Sequence, residues 1–209
     1  MEKLLVVIAN PKEQDSYSRW GTEELVSRYR KNNPGATIEF LDLYNIEIPL
    51  LDKDILSAWS DLGSGKPFSE LSEAVQKKVT LFNTFTEQFI AADKYIFAYP
   101  MWNFSIPPLL KVYIDTFVIA GKTFQYGSNG VEAIKPGKKA IHVMASGGDY
   151  SSDSYTQMDF ASRYIQHIFE FIGIESQALS IRGIAQKTFV EAEAKNVFIE
   201  QADQALNKF

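Results

Sequence analysis

The sequence predicts an α/β fold: a doubly wound, five-stranded parallel sheet with helices on both faces. Five runs of apolar, β-branched or aromatic residues recur along the 209 residues, at 4–9, 37–43, 94–99, 139–145 and 176–184. Longer segments of helical periodicity separate them. The first and third runs, LLVVIA and KYIFAY, are apolar almost without interruption. That character fits central parallel strands covered on both faces, not half-solvated antiparallel ones.

The elements follow in order. A helix is predicted over 18–31, with Trp20, Leu25, Val26 and Tyr29 near one face and Asn32, Asn33, Pro34 and Gly35 ending it. Residues 46–67, with Pro49, Gly63, Gly65 and Pro67, read as an irregular excursion that carries Trp59 but no evident chemistry. Over 69–92, Leu71, Val75, Val79, Phe82, Phe85 and Phe89 recur at helical spacing, a core-facing stripe and not a cofactor box. The helix predicted over 106–120 is apolar on nearly every face, with Lys111 and Asp115 as one i,i+4 pair. Such a helix must be covered on all sides, either by a second copy of the chain or by another segment of the same one, such as 46–67. No repeat, linker or low-complexity tract divides the chain, so residues 1–209 are read as one domain.

Composition removes whole classes of function. With 45% hydrophobic and 22% charged residues the chain is neither disordered nor fibrous. The absence of cysteine excludes thiol nucleophiles, thiolate zinc sites and dithiol couples, so redox chemistry would have to come from a bound organic cofactor or another metal. Twenty-one basic against 26 acidic residues, net −5, argue against a nucleic-acid partner that needs a broad basic face. The short apolar run in MEKLLVVIANPKE is not a secretory leader, and no stretch approaches the ~20 apolar residues of a membrane span. A cytoplasmic protein without membrane partner is expected.

Ligands of open parallel sheets bind beyond the carboxyl ends of the strands, so the loops after the first, third and fourth strands are read together. The first, Asn10 to Ser18, places Ser16 and Ser18 where a helix begins. Hydroxyls, free N–H groups and the helix dipole there suit a phosphate without a lysine; the alternative is that Asp15, Ser16 or Ser18 merely caps the helix. No GxxxxGK[ST] or GxGxxG occurs, so a phosphate monoester fits better than a pyrophosphate. The second loop is YPMWNFSIPP: Trp102 and Phe104 offer apolar surface to a flat ring, and the N–H groups of Asn103 and Phe104 suit its heteroatoms. Here the alternative is aromatics closing the core. The third, ASGGDY, has paired glycines where a backbone turns sharply or approaches a ligand closely. Segment 121–130 offers Phe124 and Tyr126 as candidate lid residues, or is a plain turn.

The run PMWNFSIPPLLKVYIDTFVIAGKTFQY, with the SYS loop and the ASGG turn, resembles the FMN-dependent NADH azoreductases, also described as FMN-dependent NADH:quinone oxidoreductases, over nearly the whole chain. The resemblance implies a flavodoxin-like fold, bound FMN, NADH as donor, a quinone or azo compound as acceptor, and a homodimer. It also implies that Ser16, Tyr17 and Ser18 hold the FMN phosphate, with Asn10 at the first phosphate-loop position. Pro100, Met101, Trp102, Asn103 and Phe104 would line the isoalloxazine and its ribityl side, while Ala145, Gly147 and Gly148 approach the pyrimidine edge. Trp102, Tyr126 and Phe171 would shape the acceptor side. Two departures stand out: Asn10 replaces the common Ser or His, and Ser146 stands where many members carry Arg before the glycines.

His142 in strand four and His167 in an apolar helix read as structural, and no HExxH, triad order or carboxylate cluster supports a hydrolase or metal site. The flavin carries the chemistry in this reading, so no side chain is assigned as catalytic. The rival from another class is a flavodoxin-type electron carrier that serves a protein partner.

Overall fold

The computed structural model describes residues 1–128 and 130–209. Among them the chain runs β1 (Lys3–Ile8), α1 (Tyr17–Asn32), β2 (Thr37–Asp42), α2 (Lys53–Gly63), α3 (Glu73–Ala91), β3 (Lys94–Pro100), α4 (Pro108–Phe117), β4 (Phe124–Gly127), β5 (Gly130–Ala133), β6 (Lys139–Ala145), α5 (Asp153–Thr156), α6 (Phe160–Phe171), β7 (Glu175–Ile181) and α7 (Glu191–Leu206). The expected five-stranded parallel sheet is present, in the order β2-β1-β3-β6-β7. Chain order reverses between β1 and β3, and loops on either side of that reversal part to leave a crevice.

Alternate residues of each strand serve opposite faces. Leu4, Val6, Ile96, Ile141 and Val143 pack under α1 and α7, where Leu25, Tyr29, Phe198 and Ala202 meet them. Leu5, Val7, Tyr95, Phe97, Tyr99 and Met144 pack under α3, α4 and α6. Both faces are dry, which explains why β1 and β3 read as unbroken apolar runs. The stripe predicted for 69–92 is the buried face of α3, with Phe82, Phe85 and Phe89 all shielded.

Three expectations need correction. The excursion at 46–67 contains α2, an 11-residue helix capped by the Asp52 carboxylate, which accepts from the N–H groups of Asp54 (3.0 Å) and Ile55 (3.1 Å). Its Ile55, Ala58, Trp59 and Leu62 pack on α3, with Trp59 edge-on to Phe82 at 5.2 Å. That i, i+3, i+4, i+7 pattern was visible between the prolines.

Residues 121–130 are not a plain turn. Phe124–Gly127 pairs antiparallel with Gly130–Ala133, Phe124 is buried, and Asn129 lies outside the described residues.

The third correction concerns α4. Its apolar surface is covered mostly by its own chain: Phe117 is fully buried, stacked on Phe89 at 3.8 Å, and Ile119 packs into the α2–α3 cluster. Leu109, Val112 and Val118 keep only partial exposure.

Candidate functional site

At the carboxyl ends of β1, β3, β6 and β7 lies a cavity of about 450 Å³. Its walls are Asn10, Lys12, Ser16 and Tyr17 from the first loop, Pro100 to Trp102 from the second, Ala145 to Gly147 from the third, and Ile184 and Ala185 beyond β7. The last two escaped the sequence reading, which did not place the loop after the fifth strand beside the loop after the fourth.

Asn10 organises the first wall. It is 5% exposed, and its Oδ1 accepts the Lys12 N–H at 3.0 Å. That bond leaves Nδ2 to donate to Ser16 Oγ (2.7 Å) and Ser18 Oγ (3.2 Å). The two hydroxyl oxygens also lie 3.3 Å apart, so one can donate to the other while the remaining proton is free to point at an anion. Ser16 also caps α1, accepting the Arg19 N–H at 3.3 Å, so capping and cradle coexist in one residue. Asp15 turns the chain into the helix at φ 52°. The N–H groups of Tyr17 and Ser18 belong to the first helical turn and have no acceptor among the described residues. Tyr17's ring does not face the hydroxyls: it stands edge-on to Phe189 at 5.5 Å, and burial beside the Glu191 carboxylate raises its phenol pKa. The group that Tyr17 leaves free is its backbone N–H.

In the second wall the Met101 N–H donates to the Ala145 carbonyl at 2.8 Å, tying β3's end to β6's. Trp102 and Ser105 exchange backbone bonds of 2.9 and 3.0 Å around a tight turn. Its central residues, Asn103 (φ 47°) and Phe104 (φ 67°), are both left-handed. Asparagine tolerates that region, whereas phenylalanine there is strained by roughly 1–3 kcal/mol. Trp102 and Phe104 stand 38% and 43% exposed, so they do not close the core. Trp102 lines the cavity, while Asn103 and Phe104 form the turn beside it, with Phe104 edge-on to Tyr150 at 6.2 Å.

The third wall is pinned from behind. Ile184, Ala185 and Gly183 donate their N–H groups to the carbonyls of Ser146, Gly147 and Gly148 at 3.2, 3.0 and 3.1 Å. A Cβ on Gly148 would meet the Tyr150 ring at 3.1 Å, a tight contact that the ring would have to yield to. The N–H groups of Gly147 and Gly148 have no acceptor among the described residues and remain available to a ligand. Ser146 Oγ donates to the Gly148 carbonyl at 2.8 Å, so this neutral side chain stabilises its own turn.

Tyr126 and Phe171 do not join the cavity within one chain. Helix α6 starts at the second loop, where the Phe160 N–H donates to the Phe104 carbonyl at 3.1 Å, and runs ~18 Å to the other end of the sheet. Phe171 there packs on Phe124 at 4.8 Å, beside the hairpin that carries Tyr126.

His142 is fully buried. Its Nδ1 and the Tyr99 hydroxyl share a hydrogen bond of 2.7 Å, and burial pushes the histidine pKa down to about 4. His167 is exposed on α6, and no cluster of metal-ligating side chains occurs among the described residues.

Residues 2–209 match the family model described as flavodoxin-like fold. An FMN-dependent NADH:quinone oxidoreductase 2 of Listeria monocytogenes is 44% identical over 98% of this chain and all of its own length. An FMN-dependent NADH:quinone oxidoreductase 3 of Bacillus cereus is 36% identical, with full coverage of both. The crystal structure of an FMN-dependent NADH-azoreductase from Bacillus anthracis in complex with FMN superposes with a TM-score of 0.91 at 31% identity, covering 100% of this chain and 99% of that one. With full-length relatives at 44% and 36% identity, the chain belongs to the FMN-dependent NADH:quinone oxidoreductase family.

Proposed function

We propose that the protein is an FMN-dependent oxidoreductase that moves two electrons from NADH to quinones and cleaves azo compounds reductively to amines. One observation carries the reading: a cavity of about 450 Å³ joins an anion cradle to an aromatic wall and to unclaimed backbone donors. FMN presents the matching features, a phosphate monoester, a flat apolar ring and a heteroatom-rich edge. Ser16, Ser18, Asn10 and the first N–H groups of α1 would hold its phosphate, Pro100 to Trp102 would border the ring, and Gly147 and Gly148 would donate to its pyrimidine edge. When bound, FMN supplies the group that accepts and returns a hydride.

The chain's own part is to bind, orient and leave one opening. Donor and acceptor would each need the flavin ring at van der Waals distance and would take the same exposed face in turn, a ping-pong scheme. Reducing an azo bond to two amines takes four electrons, hence two such cycles. No side-chain acid or base is assigned a step, because backbone N–H groups are the donors at the edge where negative charge develops. The test is identification of the released flavin, with steady-state rates against varied NADH and quinone. FMN and parallel reciprocal plots are expected; intersecting plots would contradict the alternation.

The reading includes a homodimer. Leu109 and Val112 leave a partly exposed apolar strip on α4, and Tyr126 and Phe171 reach a cavity only if it belongs to a second copy. Light scattering at micromolar concentration should give twice the chain mass. A charge at the fully buried Phe117 would disrupt the core and is not a test of the interface. The proposed setting is the cytoplasm; among the described residues no helix is long and apolar enough to cross a membrane.

A further inference from the structure

Arg19 is the third residue of α1, where the helix dipole disfavours a cation. Its side chain is nonetheless only 13% exposed and is held at both ends. Nη2 donates to the Asn10 carbonyl at 2.5 Å and to Asp42 Oδ2 at 2.6 Å, while Nε donates to the same carbonyl at 3.2 Å. Asp42 lies at the end of β2, paired with Ile8 two residues before Asn10, and also accepts from the Tyr44 N–H and Asn45 Nδ2, both at 3.1 Å.

Arg19 thus fixes the backbone of Asn10, and the Lys12 N–H fixes its Oδ1, which leaves the amide aimed at the two hydroxyls. Every polar group of Asn10's carbonyl and side chain is committed, so the polarity of the cradle depends on the guanidinium. One residue separates that guanidinium from the hydroxyls, in a setting where partial burial limits screening.

We infer that Arg19, buttressed by Asp42, is a positioning residue that sets how strongly this cradle prefers a phosphorylated flavin to an unphosphorylated one; the inference rests on the FMN reading above. Arg19 orients Asn10 for the phosphate and lends it positive charge. Asp42 holds the guanidinium in place while offsetting part of that charge.

The test is a parallel titration of the full chain, freed of flavin, with FMN and with riboflavin, followed by flavin fluorescence. In Arg19→Gln the preference for FMN should narrow about tenfold, the scale of a lost charge-assisted hydrogen bond, while riboflavin affinity stays within about threefold of wild type. In Asp42→Asn, which keeps an acceptor for the guanidinium but removes the opposing charge, the preference should widen by about threefold or more. Equal weakening of both flavins in Arg19→Gln, or a narrower preference in Asp42→Asn, overturns the inference. Should Arg19→Gln fail to fold, the direction of change in Asp42→Asn decides alone. A wild-type chain that binds neither flavin overturns the FMN reading itself, an outcome distinct from any change in preference.

Discussion

At the carboxyl end of the sheet, four loops meet around a cavity and leave backbone donors and hydroxyls turned toward it; at the amino end, Phe124 and the half-buried Phe171 form an aromatic corner. The family resemblance assigns residues from both ends to one site. Geometry separates them by the length of α6, and it separates them in kind: the first region is organised by polar groups, the second by aromatic packing. Position in a family motif therefore does not tell whether a residue serves its own cavity, and the difference can be pressed experimentally.

The largest effect lies in the core, on β6. His142, held near pKa 4 against an ordinary 6.5, stays neutral in the folded chain, while the unfolded chain takes up the proton first. Stability from this group is therefore full above pH 6.5, falls as pH drops toward 4 and levels off below. The total loss is about 3 kcal/mol at 1.36 kcal/mol per pKa unit. Urea unfolding at pH 7 and pH 4.5 measures it, and His142→Phe should flatten that part of the dependence. An equal slope in the variant would place the acid sensitivity elsewhere.

Next comes the aromatic corner. Phe171→Ala should lower unfolding free energy by about 2 kcal/mol, below the 3–5 typical of a fully buried ring, and leave FMN affinity unchanged. A change in flavin affinity without loss of stability would move Phe171 from the packed region into the site. At the cradle the pattern should reverse. Ser16→Ala with Ser18→Ala should weaken FMN by at least ~1 kcal/mol in a fluorescence titration. Unchanged affinity would remove the hydroxyls from the site.

The smallest effect is expected at Tyr126, 77% exposed on the hairpin. Tyr126→Ala should change stability by less than about 0.5 kcal/mol. If the chain pairs as proposed, it should still alter kcat/KM for bulky quinones; unchanged kinetics with several quinones would confine Tyr126 to the surface of its own chain.

The sheet, the α3 stripe and the three loops were legible because each leaves a local mark: apolar runs for doubly covered strands, helical spacing, and unusual residues just past a strand. Helix α2 left a mark as well, Asp52 as cap and Ile55, Ala58, Trp59 and Leu62 at helical spacing, but flanking prolines and glycines drew the reading toward a loop. Other features were beyond local pattern. The Arg19–Asp42 clamp exists because β1 pairs with β2 in a register that sets Asp42 opposite Ile8. Ile184 and Ala185 reach the cavity because β7 lies beside β6. Phe171 is at the wrong end of α6 for its own cavity for a similar reason: a helix that starts at the site must finish far from it.

The most direct measurement is an anaerobic pair of half-reactions on the purified protein with its own chromophore. NADH alone should bleach the flavin absorbance fully at one equivalent per bound FMN, and a quinone added afterwards should restore it, with no third component. Bleaching that a quinone cannot reverse, or a chromophore untouched by NADH, would contradict the account.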